Sequence, residues 1–130
     1  MFSKIMYTTL FVSNQDKALD FYMEMFGFQK HADYAGPEGR FLTISFKGEG
    51  PEVLLWPGTA GRASEPSGAP LSSVPGPLII ESDNLRKDFE SLRSRGVKFV
   101  EAEPEDYLFG VRVTALDPDG NRVSLRQRRK

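Results

Sequence analysis

The chain states one structural plan twice. Residues 4–30, KIMYTTLFVSNQDKALDFYMEMFGFQK, run from a β-branched and aromatic stretch through a capped amphipathic helix to a glycine and a new apolar run. Residues 77–100, PLIIESDNLRKDFESLRSRGVKFV, repeat that order of events. The glycines that end the two helices, Gly27 and Gly96, stand 69 residues apart. A repeat this long in 130 residues requires a fold built from two similar halves, which constrains the chain more than any single residue does.

Ile5 and the run from Tyr7 to Val12 predict a strand over 4–12, buried on both faces. Ser13 or Asn14 caps a helix over about 15–26, whose apolar stripe is Ala18, Leu19, Phe21, Tyr22 and Met25. Residues 28–34 and 40–47 read as a hairpin across Gly36–Gly39, and 51–56 as a fourth strand. In the second half, 77–82 reads as a strand and Asp83 as the cap of a helix over 84–95, with Leu85, Phe89 and Leu92 on one face. A strand over 97–101, a loop over Glu103–Leu108, and a hairpin of 109–116 with 122–127 complete it. The chain is thus β-α-β-β-β twice, an α+β fold expected to form one domain over 1–130. Half 1 is about 1–56, the linker 57–76 and half 2 about 77–130; four Pro and four Gly in those twenty linker residues oppose regular structure.

Composition removes several function classes. A formal net charge of −1 offers no global field for nucleic acid or an anionic membrane, and the basic run Arg126–Lys130 has no stacking platform beside it. No apolar run approaches the length of a membrane span. The absence of cysteine excludes disulfides and thiolate chemistry, and leads to the expectation of a cytoplasmic protein. A single histidine, His31, cannot build a two-histidine metal site or a Ser-His-Asp set in this pattern. No phosphate-cradling glycine motif is present.

The helix segment Ala18-Leu19-Asp20-Phe21-Tyr22 before Gly27-Phe28, with the closing turn Asp117-Pro118-Asp119-Gly120-Asn121, resembles the vicinal oxygen chelate superfamily. That superfamily includes glyoxalase I, bleomycin-resistance proteins and extradiol dioxygenases. The resemblance covers nearly the whole chain and implies two curled mixed sheets facing a cavity. It further implies that metal-dependent members hold their ion with one side chain from the first and last strand of each half. Here those positions fall on Tyr7, Leu55, Pro77 and Ser124. Shifting the fourth-strand position by one residue gives Leu54 or Trp56, and shifting the last gives Val123 or Leu125. None is a suitable ligand, so no metal and no other cofactor is expected.

Strand alternation then proposes the cavity lining: Thr9 and Phe11 beside Tyr7, Val53 beside Leu55, Ile79 and Glu81 after Pro77, and Arg122 with Arg126 around Ser124. Arg112 and Thr114 are preferred to Val111 and Val113 on the seventh strand, and Tyr107, Leu108 and Phe109 close a rim. Glu81 among apolar neighbours would have a raised pKa unless Arg112, Arg122 or a cationic ligand compensates. The favoured reading is a metal-free protein that binds a hydrophobic or cationic small molecule. The alternatives are a metal-independent isomerase or lyase using Glu81 or Tyr7 for proton transfer, and a metal held by an atypical set such as Glu81, Glu52 and His31. The resemblance and the open sheet edges together lead to the expectation of a homodimer, with no nucleic-acid or membrane partner.

Overall fold

Asn14 opens the first helix: its Oδ1 accepts from the Lys17 N–H at 3.0 Å, satisfying a donor that a helix start leaves without a partner. The computed structural model describes residues 1–47, 49–58 and 75–129, so most of the expected linker, residues 59–74, lies outside the described residues. The elements run β1 (Tyr7–Val12), α1 (Gln15–Phe26), β2 (Gln29–Gly36), β3 (Gly39–Phe46), β4 (Glu49–Pro57), β5 (Leu78–Glu81), α2 (Leu85–Ser94), β6 (Lys98–Phe99), β7 (Glu105–Tyr107), β8 (Gly110–Leu116) and β9 (Arg122–Arg128). They divide between two compact units, Met1–Arg62 and Ala63–Lys130. The α+β class and the doubled β-α-β-β-β order are those expected, with β7 as an addition.

The N-terminal unit is a four-stranded sheet in the order β1-β4-β3-β2. Its β1–β4 pair is parallel and the others antiparallel. Strand β1 starts at Tyr7 rather than Lys4, because ladder pairing begins where Tyr7 meets Glu52. Burial alternates along it: Leu10 and Val12 are buried, whereas Tyr7 and Thr9 are exposed. The expected burial of β1 on both faces therefore does not occur. One face packs with Ala18, Leu19 and Tyr22 of α1, together with Leu42, Ile44, Val53 and Leu55. Each large apolar side chain so buried contributes about 1.5–3 kcal/mol. Gly27 ends α1 in the left-handed region at φ 80°, where a side chain would be strained.

The C-terminal unit repeats the plan with the order β5-β9-β8-β6, β7 also pairing with β8. The β5–β9 pair is parallel, as β1–β4 is. Asn84 caps α2, not Asp83: its Oδ1 accepts from the Lys87 N–H at 3.3 Å. The Ser82 hydroxyl accepts from the Asn84 N–H and donates to Asp88, a turn that carries the chain one residue further before the helix begins. Leu85, Phe89 and Leu92 are buried as their spacing predicts.

The region read as one strand and a loop is arranged differently. Strand β6 is two residues long, and the expected loop 103–108 contains β7. Both lie along β8, β6 against Leu116 and Ala115, β7 against Gly110 to Arg112. Glu101 spans the interval between them. Its carboxylate accepts from the Thr114 N–H at 2.7 Å and from the Thr114 hydroxyl at 3.1 Å, so a side chain does what a neighbouring strand's carbonyl would do. The β8–β9 turn closes on buried Asp117, which accepts from the Asp119 and Asn121 N–H groups and from the Asn121 amide.

Candidate functional site

Register decides which side chains share a sheet face. In the N-terminal unit Leu10 pairs with Leu55, and Thr8 with Val53. Paired residues of adjacent strands point the same way, so Leu55 joins Leu10 on the helix side and both Val53 and Leu55 are buried in the core. The expectation that Val53 and Leu55 line the cavity is corrected by one residue. Strand β4 instead presents Glu52, Leu54 and Trp56 on the face away from α1, opposite Tyr7, Thr9 and Phe11. Aromatic rings dominate there: Phe41 meets Tyr7 edge-on at 5.5 Å and stacks on Tyr34 at 5.1 Å.

The same face holds a polar cluster. A β-bulge between Lys30 and Ala32 re-aims His31, whose Nδ1 lies 2.7 Å from Glu52 Oε1. The Thr43 hydroxyl donates to that oxygen at 2.7 Å and accepts from the Ala32 N–H at 3.1 Å. The cluster thus joins two members of the atypical set, His31 and Glu52, through a bulge that the sequence does not announce.

In the C-terminal unit Ile79 pairs with Ser124 and Glu81 with Arg126; Thr114 pairs with Ser124, Arg112 with Arg126, and Arg122 with Leu116. Ile79, Glu81, Arg112, Thr114, Arg122 and Ser124 therefore share one face, while Leu78, Val113, Ala115, Val123 and Leu125 are buried on the other. Glu81 is exposed at the end of β5, although the register of that strand is the expected one. Arg128 grips it with a two-pronged contact, Nη2 donating to Oε1 at 2.8 Å and Nε to Oε2. That hydrogen bonding holds the Glu81 carboxyl below its ordinary range. The expected rise does not occur, and the compensating arginine is neither Arg112 nor Arg122. A carboxylate so held is a poorer proton acceptor at neutral pH.

Beside this pair lies an open groove of about 450 Å³, lined by Ile79, Glu81, Tyr107, Phe109, Arg126 and Arg128. Ile79 and Phe109 are 61% and 64% exposed. Tyr107 and Phe109 meet edge to face at 5.9 Å, and the guanidinium groups of Arg112 and Arg126 lie 4.6 Å and 5.8 Å from the Tyr107 ring centre. A second hollow of about 630 Å³ borders Ser82, Asp83 and Asp88, but Ser82 and Asp88 there bond to each other.

The registers also test whether these residues suit a metal. Thr9 pairs with Leu54 as Ile79 pairs with Ser124, so the fourth-strand position is Leu54, not Leu55. The N-terminal unit then offers Tyr7 and Leu54, and the C-terminal unit Pro77 and Ser124, whose hydroxyl accepts from the Gly76 N–H at 2.7 Å. Among the described residues no group of three histidine, cysteine, aspartate or glutamate side chains comes together. The donors do not fit the ion that the fold's metal-dependent members hold.

The sequence model of the Glyoxalase/Bleomycin resistance protein/Dioxygenase superfamily matches residues 4–125. The chain belongs to this superfamily. It is similar to an antibiotic-binding protein, TnmS3 from Streptomyces sp. CB03234, with 31% identity, a TM-score of 0.76 and 98% of each chain covered. A superfamily member from Sphaerobacter thermophilus has 29% identity and a TM-score of 0.76, over 97% of this chain and 98% of that one. Lactoylglutathione lyase of Neisseria meningitidis serogroup A is 30% identical, over 97% of this chain and 91% of the relative. A binder and a lyase thus stand at nearly equal identity, so likeness alone does not choose between them. No helix among the described residues is long and apolar enough to cross a membrane.

Proposed function

We propose that this superfamily member is a small-molecule-binding protein that works without a metal ion. The observation that carries the reading is the groove at Ile79, Tyr107 and Phe109, an apolar and aromatic surface bordered by a few charged groups, which is how small-molecule sites are usually lined. The donor set supports metal independence, since Leu54 and Pro77 have no ligating atom and Ser124 is engaged by Gly76. Similarity to an antibiotic-binding protein agrees with binding, and the choice over turnover rests on the groove and the donor set. Proton transfer by Glu81 has less support, because Arg128 stabilises its charged form. The reading includes a cytoplasmic homodimer, supported by the absence of cysteine and by the edge position of β1.

Native mass spectrometry of protein purified from its own host, combined with elemental analysis, tests this. The expected result is a retained organic molecule and no stoichiometric metal. About one transition-metal ion per chain, whose removal ends an activity, would overturn it.

A further inference from the structure

The charge of the C-terminal groove is not balanced. Three guanidinium groups border it or its aromatic wall: Arg112, Arg126 and Arg128. Two are neutralised, Arg112 by Glu105 at 2.8 Å and Arg128 by Glu81. Arg126 has no carboxylate partner among the described residues. Among the described residues its guanidinium makes one hydrogen bond, from Nη1 to the carbonyl of Leu125 at a long 3.3 Å. It is half-buried, held over the face of Tyr107, and carries four further N–H donors in a rigid fork.

We infer that this groove takes a flat apolar anion: an aromatic or fused-ring molecule whose rings lie on Ile79, Tyr107 and Phe109 and whose carboxylate meets Arg126. The inference rests on the binding reading above and gives that reading a ligand class. Charge complementarity selects the anion. A cationic ligand, one of the two classes expected from sequence, would meet the uncompensated guanidinium, and the nearest carboxylate, Glu81, is already gripped by Arg128. A carboxylate instead gains a charge-assisted, two-pronged contact with the guanidinium fork. The rings gain contact with Ile79 and Phe109, which are otherwise largely exposed to water.

The test uses the full chain and three probes of one shape: naphthalene-2-carboxylate, naphthalene-2-carboxamide and 2-naphthylmethylammonium. Affinity is measured by calorimetric titration, and the location by NMR shifts of the Ile79 methyl groups. The carboxylate is expected to bind about tenfold more tightly than the amide, and the ammonium most weakly. Arg126→Gln is expected to erase the preference of carboxylate over amide, Arg126→Lys to restore part of it, and Phe109→Ser to weaken all three probes. A carboxylate that binds no better than the amide overturns the anion inference and leaves the binding reading standing. So does a preference that survives Arg126→Gln, or one that leaves the Ile79 methyl groups unshifted. Failure of all three probes to bind, with no molecule retained from the host, overturns both.

Discussion

The two units are one plan with different side chains in matching places. Comparing the two registers makes Tyr7 the counterpart of Pro77, Thr9 of Ile79, Phe11 of Glu81, Leu54 of Ser124 and Trp56 of Arg126. The face away from the helix is aromatic in the N-terminal unit and cationic in the C-terminal unit. The second strand differs as well: β2 is continuous with one bulge, whereas its counterpart is broken into β6 and β7 with Glu101 bonded in the gap. In both units the helix-side core is built mainly of Leu and Val. The backbone plan is therefore set by the helix-side core and the first-to-last strand pairing, and the opposite face is free to diverge in chemistry.

The sharpest test of that equivalence lies in two glycines that start corresponding strands. Gly110, at φ 144°, lies so close to β9 that a Cβ would sit 1.9 Å from the Gln127 carbonyl oxygen. Gly39, at φ 140°, would place a Cβ 3.5 Å from the Trp56 ring, an ordinary contact. Gly110→Ala is expected to destabilise by about 3 kcal/mol or more, and Gly39→Ala by about 1–2 kcal/mol from backbone strain alone. Denaturant unfolding measures both, and equal losses would break the contrast.

Thr43 and Thr114 occupy matching positions, both are fully buried, and both donate to a carboxylate. Thr43 also satisfies the Ala32 N–H, whereas Glu101 keeps the Thr114 N–H bonded without help from the hydroxyl. Thr43→Val should therefore cost about 1–3 kcal/mol and Thr114→Val about 1 kcal/mol. The reverse order would show that Glu101 leaves its place once the hydroxyl is gone.

The smallest effect is electrostatic. Hydrogen bonding to Arg40 holds the Asp33 carboxyl down from 3.8 to about 2, and Arg40 also reaches Asp16 at 2.8 Å. Because the folded value lies below the unfolded one, the contribution to stability is complete above pH 4 and is lost as pH falls toward about 2. Carboxyl-carbon NMR should find Asp33 and Glu81 both titrating below their ordinary ranges. Arg128→Ala should return Glu81 to its ordinary range and leave Asp33 unmoved. An Asp33 midpoint at its ordinary value would remove the network from solution.

Both helices were legible because apolar spacing and terminal glycines agree with one another, although the cap of α2 lies one residue beyond Asp83. The C-terminal face was legible because polar and apolar residues alternate from Arg112 to Thr114 and from Arg122 to Arg126. Strand β4 was misread by one residue because Val53-Leu54-Leu55-Trp56 is a continuous apolar run with no alternation to set its phase. Strand β7 was hidden in Glu105-Asp106-Tyr107, where two acidic residues argue against a strand. The partnership of His31 with Glu52 depends on a bulge, and that of Glu81 with Arg128 on a residue beyond the expected end of the last strand. Neither has a local signal.

The parallel first-to-last pairing also governs the order of assembly. Thr9 meets Leu54 and Ile79 meets Ser124, each across 45 residues. No hairpin can make such a pair, and closing each loop costs about 3 kcal/mol in chain entropy. During synthesis at least 73 residues follow Pro57, which a ribosome adds over about 4–15 seconds. Small domains typically fold in microseconds to seconds. The first sheet can therefore close while most of its look-alike is still untranslated, and vectorial synthesis keeps two similar modules from exchanging strands.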